Sequence, residues 1–142
     1  MDILRNTPSS SVGLLVLRLG LGIAMMLHGW QKYSEKTISG VTAGFEKLGI
    51  PAPEISANFT TYVELVGGLL IILGLATRLA ALLTSIVMFG AIAFVHISNG
   101  FFASGSGFEL PLSYAVMAVA LVLTGPGAYA VDRIFARGKV AA

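Results

Sequence analysis

The sequence predicts an all-α, polytopic membrane protein built as an antiparallel bundle of four transmembrane helices. Three observations carry that prediction. Of the 142 residues, 56% are hydrophobic and only 11% are charged, against about 25% charged in soluble domains. Mean hydropathy is +0.86. The apolar residues fall into four long runs, each of a length that suits a helix crossing a hydrocarbon core of ~30 Å. The net charge is +2 and the basic residues are dispersed, which gives a set of membrane-edge charges and no nucleic-acid face. The chain has no cysteine, so disulfides, thiolate metal sites and dithiol relays are excluded within it.

The first apolar run, Val12 to Tyr33, holds Arg18 in its body and His28 near its far end. Arg18 interrupts what would be a signal-peptide core, and His28-Gly29-Trp30-Gln31-Lys32 stands where a small-residue cleavage site would follow, so the run reads as an uncleaved span. Helix 1 is placed at about 11–31, capped by Ser9, Ser10 or Ser11 and anchored at the interface by Trp30 and Tyr33. In the following loop, Ile38, Val41, Phe45 and Leu48 recur at helical spacing and predict a short amphipathic surface helix. Gly49-Ile50-Pro51-Ala52-Pro53 ends it.

Helix 2 is placed at 57–76, with Glu64 in its upper part and Gly67, Gly68 and Gly74 offering close helix approach. Ala76-Thr77-Arg78 leaves room only for a tight turn into helix 3, at 79–98, which ends near His96 and Asn99. A Gly/Ser-rich loop from Gly100 to Gly107 leads to helix 4 at 109–125, with Glu109 at its start and Pro111 in its first turn. Gly125-Pro126-Gly127 closes it, and the tail 126–142 reads as an interfacial piece within a single domain, 1–142. Four spans put both termini on one side with Arg5, Arg78, Arg133, Arg137 and Lys139, opposite Lys32, Lys36 and Lys47. The positive-inside rule then sets both termini in the cytoplasm. Helices 1 and 3 share an Arg-then-His order and helices 2 and 4 a Glu near the start, a weak two-hairpin symmetry.

This topology gathers one ionisable residue from each helix into an outer layer: His28, Glu64, His96 and Glu109. Ionisable groups in a bilayer cost at least ~2.5–3.5 kcal/mol each, so they are expected to meet in the interior. The layer has three readings. It pins the helices together by hydrogen bonds, it binds a polar head such as a quinone ring with His and Glu as proton partners, or it binds a divalent metal. No local ligand motif such as HxxxH supports the metal. Arg18 lies deeper. Its expected partner is Glu64, Asp132 or the hydroxyls of Thr84 and Ser85, most simply as a structural salt bridge. Arg18 and Lys32 support the layer from below and beside it. No nucleophile triad, P-loop or dinucleotide fingerprint is present.

These residues resemble the DoxX family of small bacterial membrane proteins. The resemblance runs through Arg18 and Gly22, His28-Gly29 with Lys32, Gly49-Ile50-Pro51, Glu64 with Gly67-Gly68, and Gly74-Leu75-Ala76-Thr77-Arg78. It continues in His96-Ile97-Ser98-Asn99-Gly100-Phe101-Phe102, Glu109, and Gly125-Pro126-Gly127 with Asp132; Ala130 departs from a frequent Ser. The resemblance implies a four-helix inner-membrane bundle serving as an oxidoreductase or quinone-linked subunit, as in the membrane subunit of thiosulfate:quinone oxidoreductase. It also implies redox partner proteins tied to oxidative stress or sulfur metabolism. Three functional classes stay open: a quinone-linked subunit, a non-catalytic scaffold for soluble redox enzymes, and a small transporter or proton path. Membrane lipids and a second copy of the chain are further expected partners, and nucleic acid is not.

Overall fold

A computed structural model describes residues 8–138. Arg5 and Lys139, counted in the charge balance above, lie outside them. Among the described residues six helices of two turns or more follow in order, α1 Pro8–Glu35, α2 Ile38–Lys47, α3 Pro53–Leu73, α4 Thr77–Asn99, α5 Glu109–Thr124 and α6 Val131–Gly138, with a short 3₁₀ turn Ala103–Gly105 before α5. No strand occurs among the described residues. Three of the helices, α1, α3 and α4, are long and apolar enough to cross a membrane. The fourth expected span, α5, is apolar but has 16 residues, about 24 Å at 1.5 Å per residue. The all-helical membrane architecture therefore stands, with three helices of spanning length where four were expected.

The long helices differ from the expected limits by a few residues, for local reasons. Pro53 opens α3, earlier than residue 57, because its fixed φ suits a first helical position. α1 runs on past Trp30 through a wider π turn, Gln31–Glu35. α3 ends at Leu73 because Gly74, at φ +70°, closes it with Leu75 N–H donating to the Leu70 carbonyl and Gly74 N–H to Ile71, the Schellman pattern. The amphipathic helix α2 forms as expected, with Val41 buried and the Thr37 hydroxyl accepting from Gly40 N–H at its start.

α1 packs chiefly on α3, and α4 on α5, so the bundle is two helix pairs, closed by α4 against α3 and by α1 against α5. The α1–α3 contact is close because glycines face each other. A Cβ on Gly22 would lie 2.7 Å from the Gly68 carbonyl oxygen, and one on Gly68 would lie 2.6 Å from the Met26 nitrogen. With lipid as apolar as leucine, such backbone proximity is what holds membrane helices together. Leu21, Met25, Ile71, Ala81, Ala115, Ala118 and Leu121 fill the space between the pairs.

The end of the bundle at the 74–77 turn, its lower end, is locked by two charges. Arg18 is buried, 1% exposed, and makes no salt bridge among the described residues. Its guanidinium donates to four main-chain carbonyls instead: Ile71 at 3.0 Å, Ile72 at 2.9 Å, Pro126 at 2.8 Å and Tyr129 at 2.7 Å. The expected partners are engaged elsewhere or out of reach. Glu64 pairs with Lys32, the Ser85 hydroxyl donates to the Leu82 carbonyl, and the Thr84 hydroxyl has no partner among the described residues. Asp132 accepts from Ala76 N–H, Thr77 N–H and the Thr77 hydroxyl at 2.7–3.0 Å. A cation thus closes the C-terminus of α3 while an anion caps the N-terminus of α4, each against the dipole end that favours it. Burial pushes the Asp132 carboxyl up, but the Thr77 and Ala76 hydrogen bonds and the Arg18 charge together outweigh it and hold it below the usual range. Gly74 has no room for a side chain here, because a Cβ would meet Ala130 and the Arg18 guanidinium.

Candidate functional site

The upper end of the bundle is built differently. Each of the three long helices loosens into a π turn there: Gln31–Glu35 in α1, Val63–Gly67 in α3 and Ile92–His96 in α4. A π turn inserts one residue into the i→i−4 ladder and re-aims the side chains around it; such turns are frequent at functional sites. The α3 turn carries Glu64 and the α4 turn ends on His96. Lys32 stands in the α1 turn, one helical turn beyond His28.

These residues converge. His28, Lys32, Glu64 and His96 line one cavity of about 310 Å³, together with Tyr114 of α5 and apolar walls that include Met25, Met88 and Pro111. Lys32 Nζ donates to Glu64 Oε2 at 2.5 Å, with the Glu64 side chain 4% exposed and that of Lys32 19%. The pair joins α1 to α3 across the bundle. Desolvation makes a lone buried carboxylate expensive, and the ammonium offsets that cost at a geometry suited to a charge-assisted bond. His28 meets Tyr114 edge to face, ring centroids 6.0 Å apart. His96 Nδ1 lies 2.7 Å from the Ser106 carbonyl oxygen. A carbonyl only accepts, so Nδ1 carries the proton, and in the neutral ring Nε2 keeps its lone pair.

A second cavity, of about 600 Å³, shares His28, Lys32, Glu64 and His96 with the first. It runs beneath α2, past Val41 and Phe45, and out between α3 and α4 along Gly90 and Phe94. Phe94 is exposed on the flank of the bundle, where a membrane protein meets hydrocarbon. The ionisable residues therefore form the wall between a small inner chamber and a larger, largely apolar one that opens sideways.

Of the residues expected in the outer layer, His28, Glu64 and His96 come together, and Lys32 joins them as the ion-pair partner of Glu64. Glu109 does not line the cavity. Its carboxylate accepts from Ala103 N–H at 2.9 Å and fastens the 100–107 loop to the start of α5. Arg18 is ten residues below His28, about 15 Å along the helix, with its donors on the lower turn. Tyr114 was missed; the signal for it was a phenol in the otherwise apolar α5, five residues after Glu109. No group of three or more His, Cys, Asp or Glu side chains is placed to hold a metal ion among the described residues.

Comparison with known proteins places these features in context. The DoxX family model matches residues 13–97, and the model described as TQO small subunit DoxD matches residues 56–141. An uncharacterized protein of Haemophilus influenzae is 37% identical over 125 residues, covering 86% of this chain and 90% of its own. The Bacillus subtilis protein named "Putative oxidoreductase CatD" is 30% identical and covers 92% of each chain. The inner membrane protein YqjF of Escherichia coli is 33% identical, covering 87% of this chain and 92% of its own. No solved structure is significantly similar to the chain.

Proposed function

The chain belongs to the DoxX family, and we propose that it is a quinone-linked redox subunit of the bacterial inner membrane whose upper cavity holds the quinone head. In this reading α5 crosses the membrane as a fourth helix and both termini face the cytoplasm, as the excess of basic residues at the lower end favours. One observation carries the proposal. Lys32, Glu64 and His96, each in a π turn, share with His28, one turn before the first, a single wall between an inner chamber and a chamber that opens on the flank.

The residues present fit such a group. At about 310 Å³ the inner chamber is at the lower end of small-molecule pockets, suited to one ring. Its walls are apolar and aromatic, with the polar groups on one side. The lateral chamber gives an apolar tail a way out under α2. A bound quinone supplies two-electron, two-proton chemistry that no side chain of this cysteine-free chain offers. In this reading His28 and the Lys32 ammonium would donate hydrogen bonds to a carbonyl oxygen in the chamber, and Glu64 would exchange a proton with it. Tyr114 orients the His28 ring. The electrons come from a redox partner protein; the Bacillus relative is named an oxidoreductase and the TQO model a small subunit, each of its own protein.

The scaffold reading draws on the Lys32–Glu64 bridge, which would tie α1 to α3 without any ligand. The transport reading needs Arg18 as a station below the layer. There, its guanidinium has four hydrogen bonds to carbonyls, an arrangement suited to a fixed brace. Photolabelling separates the readings. An azido-benzoquinone bearing a short alkyl tail should label peptides around His28–Lys32 and Pro111–Tyr114, and excess unlabelled quinone should compete. Labelling that does not saturate, or that falls only on lipid-facing positions, would count against the quinone site.

A further inference from the structure

A second groove lies lower on the same α3–α4 flank, meeting the lateral chamber at Phe59, and does not depend on the quinone reading. Between α3 and α4 runs an open groove of about 790 Å³, walled by Phe59, Tyr62, Val66 and Leu70 of α3 and by Leu79 and Leu83 of α4. At its lower end it passes, through the shared residues Ala76 and Leu79, into a concavity bearing Arg78, Asp132 and Arg133. The Asp132 carboxylate is occupied by Ala76 and Thr77. Arg78 has no hydrogen-bond or ion-pair partner among the described residues. The Arg133 side chain donates only a long bond, 3.4 Å from Nε to the Gly127 carbonyl. On the same helix as Arg133, Ile134 and Phe135 are exposed, the arrangement of an amphipathic helix lying at headgroup depth.

We propose that this groove and the two arginines form a site for one anionic phospholipid, with an acyl chain along α3 and α4 and the phosphate on Arg78 and Arg133. Arginines without an ion-pair partner at the membrane edge of a groove between helices are the chemistry that recognises anionic headgroups. The guanidinium forks suit phosphate oxygens. A second copy of the chain fits the groove less well. A two-fold axis along the membrane normal would bring Arg78 and Arg133 of each copy to the same level as those of the other, like charge facing like.

The test is native mass spectrometry of the full chain in mild detergent, titrated with phosphatidylglycerol and phosphatidylcholine of identical acyl chains. One phosphatidylglycerol should be retained, tighter than phosphatidylcholine by roughly 30-fold, at about 1 kcal/mol for each edge arginine. Arg78→Gln with Arg133→Gln should bring phosphatidylglycerol down to the phosphatidylcholine level. Val66→Trp, or Leu79→Trp should the first variant fold poorly by circular dichroism, should weaken both lipids by filling the groove. Equal retention of the two lipids, a preference surviving in the double arginine variant, or unchanged retention in both groove variants would overturn the site. So would a wild-type dimer that Val66→Trp dissociates.

Discussion

Arg18 offers the most direct check on how the bundle is held. Four of its N–H groups are on carbonyls, and two of those, Ile71 and Ile72, are in the last turn of α3, where no further helical N–H exists to satisfy them. Ile71 keeps a second donor in Gly74 N–H when Arg18 is lost; Ile72 keeps none. Tyr129 is exposed, so water can replace the bond there. Arg18→Met, close in length but without donors, therefore strands about one to two carbonyls at ~1–3 kcal/mol each. It also relieves the burial of a guanidinium, which brings the net loss to about 2–4 kcal/mol. Arg18→Lys keeps the charge but replaces a planar fork by a point donor with three hydrogens, and should recover less than half of that. The assay is unfolding of the purified protein in detergent, by heat or by titration with a denaturing detergent, followed by circular dichroism. If Arg18→Met unfolds within about 0.5 kcal/mol of wild type, or Arg18→Lys matches wild type, the carbonyl brace is not what secures the lower end.

Three further perturbations read other parts of the fold. Asp132→Asn should destabilise the protein at neutral pH by about 0.5–2 kcal/mol through the lost cap of α4. Because the Asp132 carboxyl is held below its ordinary value, its contribution is complete above about pH 4 and disappears as the pH falls through the native value, so wild type and variant should converge in acid; a gap that persists or widens there would refute the cap. Gly68→Ala drives a Cβ to 2.6 Å from the Met26 nitrogen and should cost about 1–3 kcal/mol, whereas Gly20→Ala, which meets nothing within 4 Å, should be neutral or stabilising; equal effects would place the helix contact elsewhere. Ala76 sits at φ +47°, so Ala76→Gly should raise stability by up to about 1 kcal/mol, and a loss would mean the turn is not strained.

The sequence made the helices legible because each is a hydrophobic run between breakers: Pro53 and Gly74 mark α3, Gly100 and Gly125 bound the region of α5. It also made the gathering of His28, Glu64 and His96 legible, since an ionisable group inside a span must find company. The companions were harder to foresee. Arg18 satisfies itself on carbonyls, and every residue has one, so no letter of the sequence announces the partner. Lys32 is legible as a support of the layer, but not as the ion-pair partner of Glu64, because the π turn in which it stands has no composition of its own. Glu109 stands at the mouth of a loop whose main-chain N–H groups compete for its carboxylate, a geometry that helix periodicity does not encode. Asp132 lies far from Thr77 in sequence, and only the folding back of the Gly-Pro-Gly turn brings them together.

The most direct test of the upper cavity uses Trp30, the only tryptophan in the chain, two residues beyond His28. Titrating a short-tailed benzoquinone into the detergent-solubilised protein should quench Trp30 fluorescence along a saturable curve of unit stoichiometry. Glu64→Gln and His96→Ala should each weaken the binding by about tenfold or more, the loss of one well-placed hydrogen bond. Quenching that rises linearly with quinone in all three proteins would mean only partitioning into the detergent, and would contradict a quinone site at His28, Lys32, Glu64 and His96.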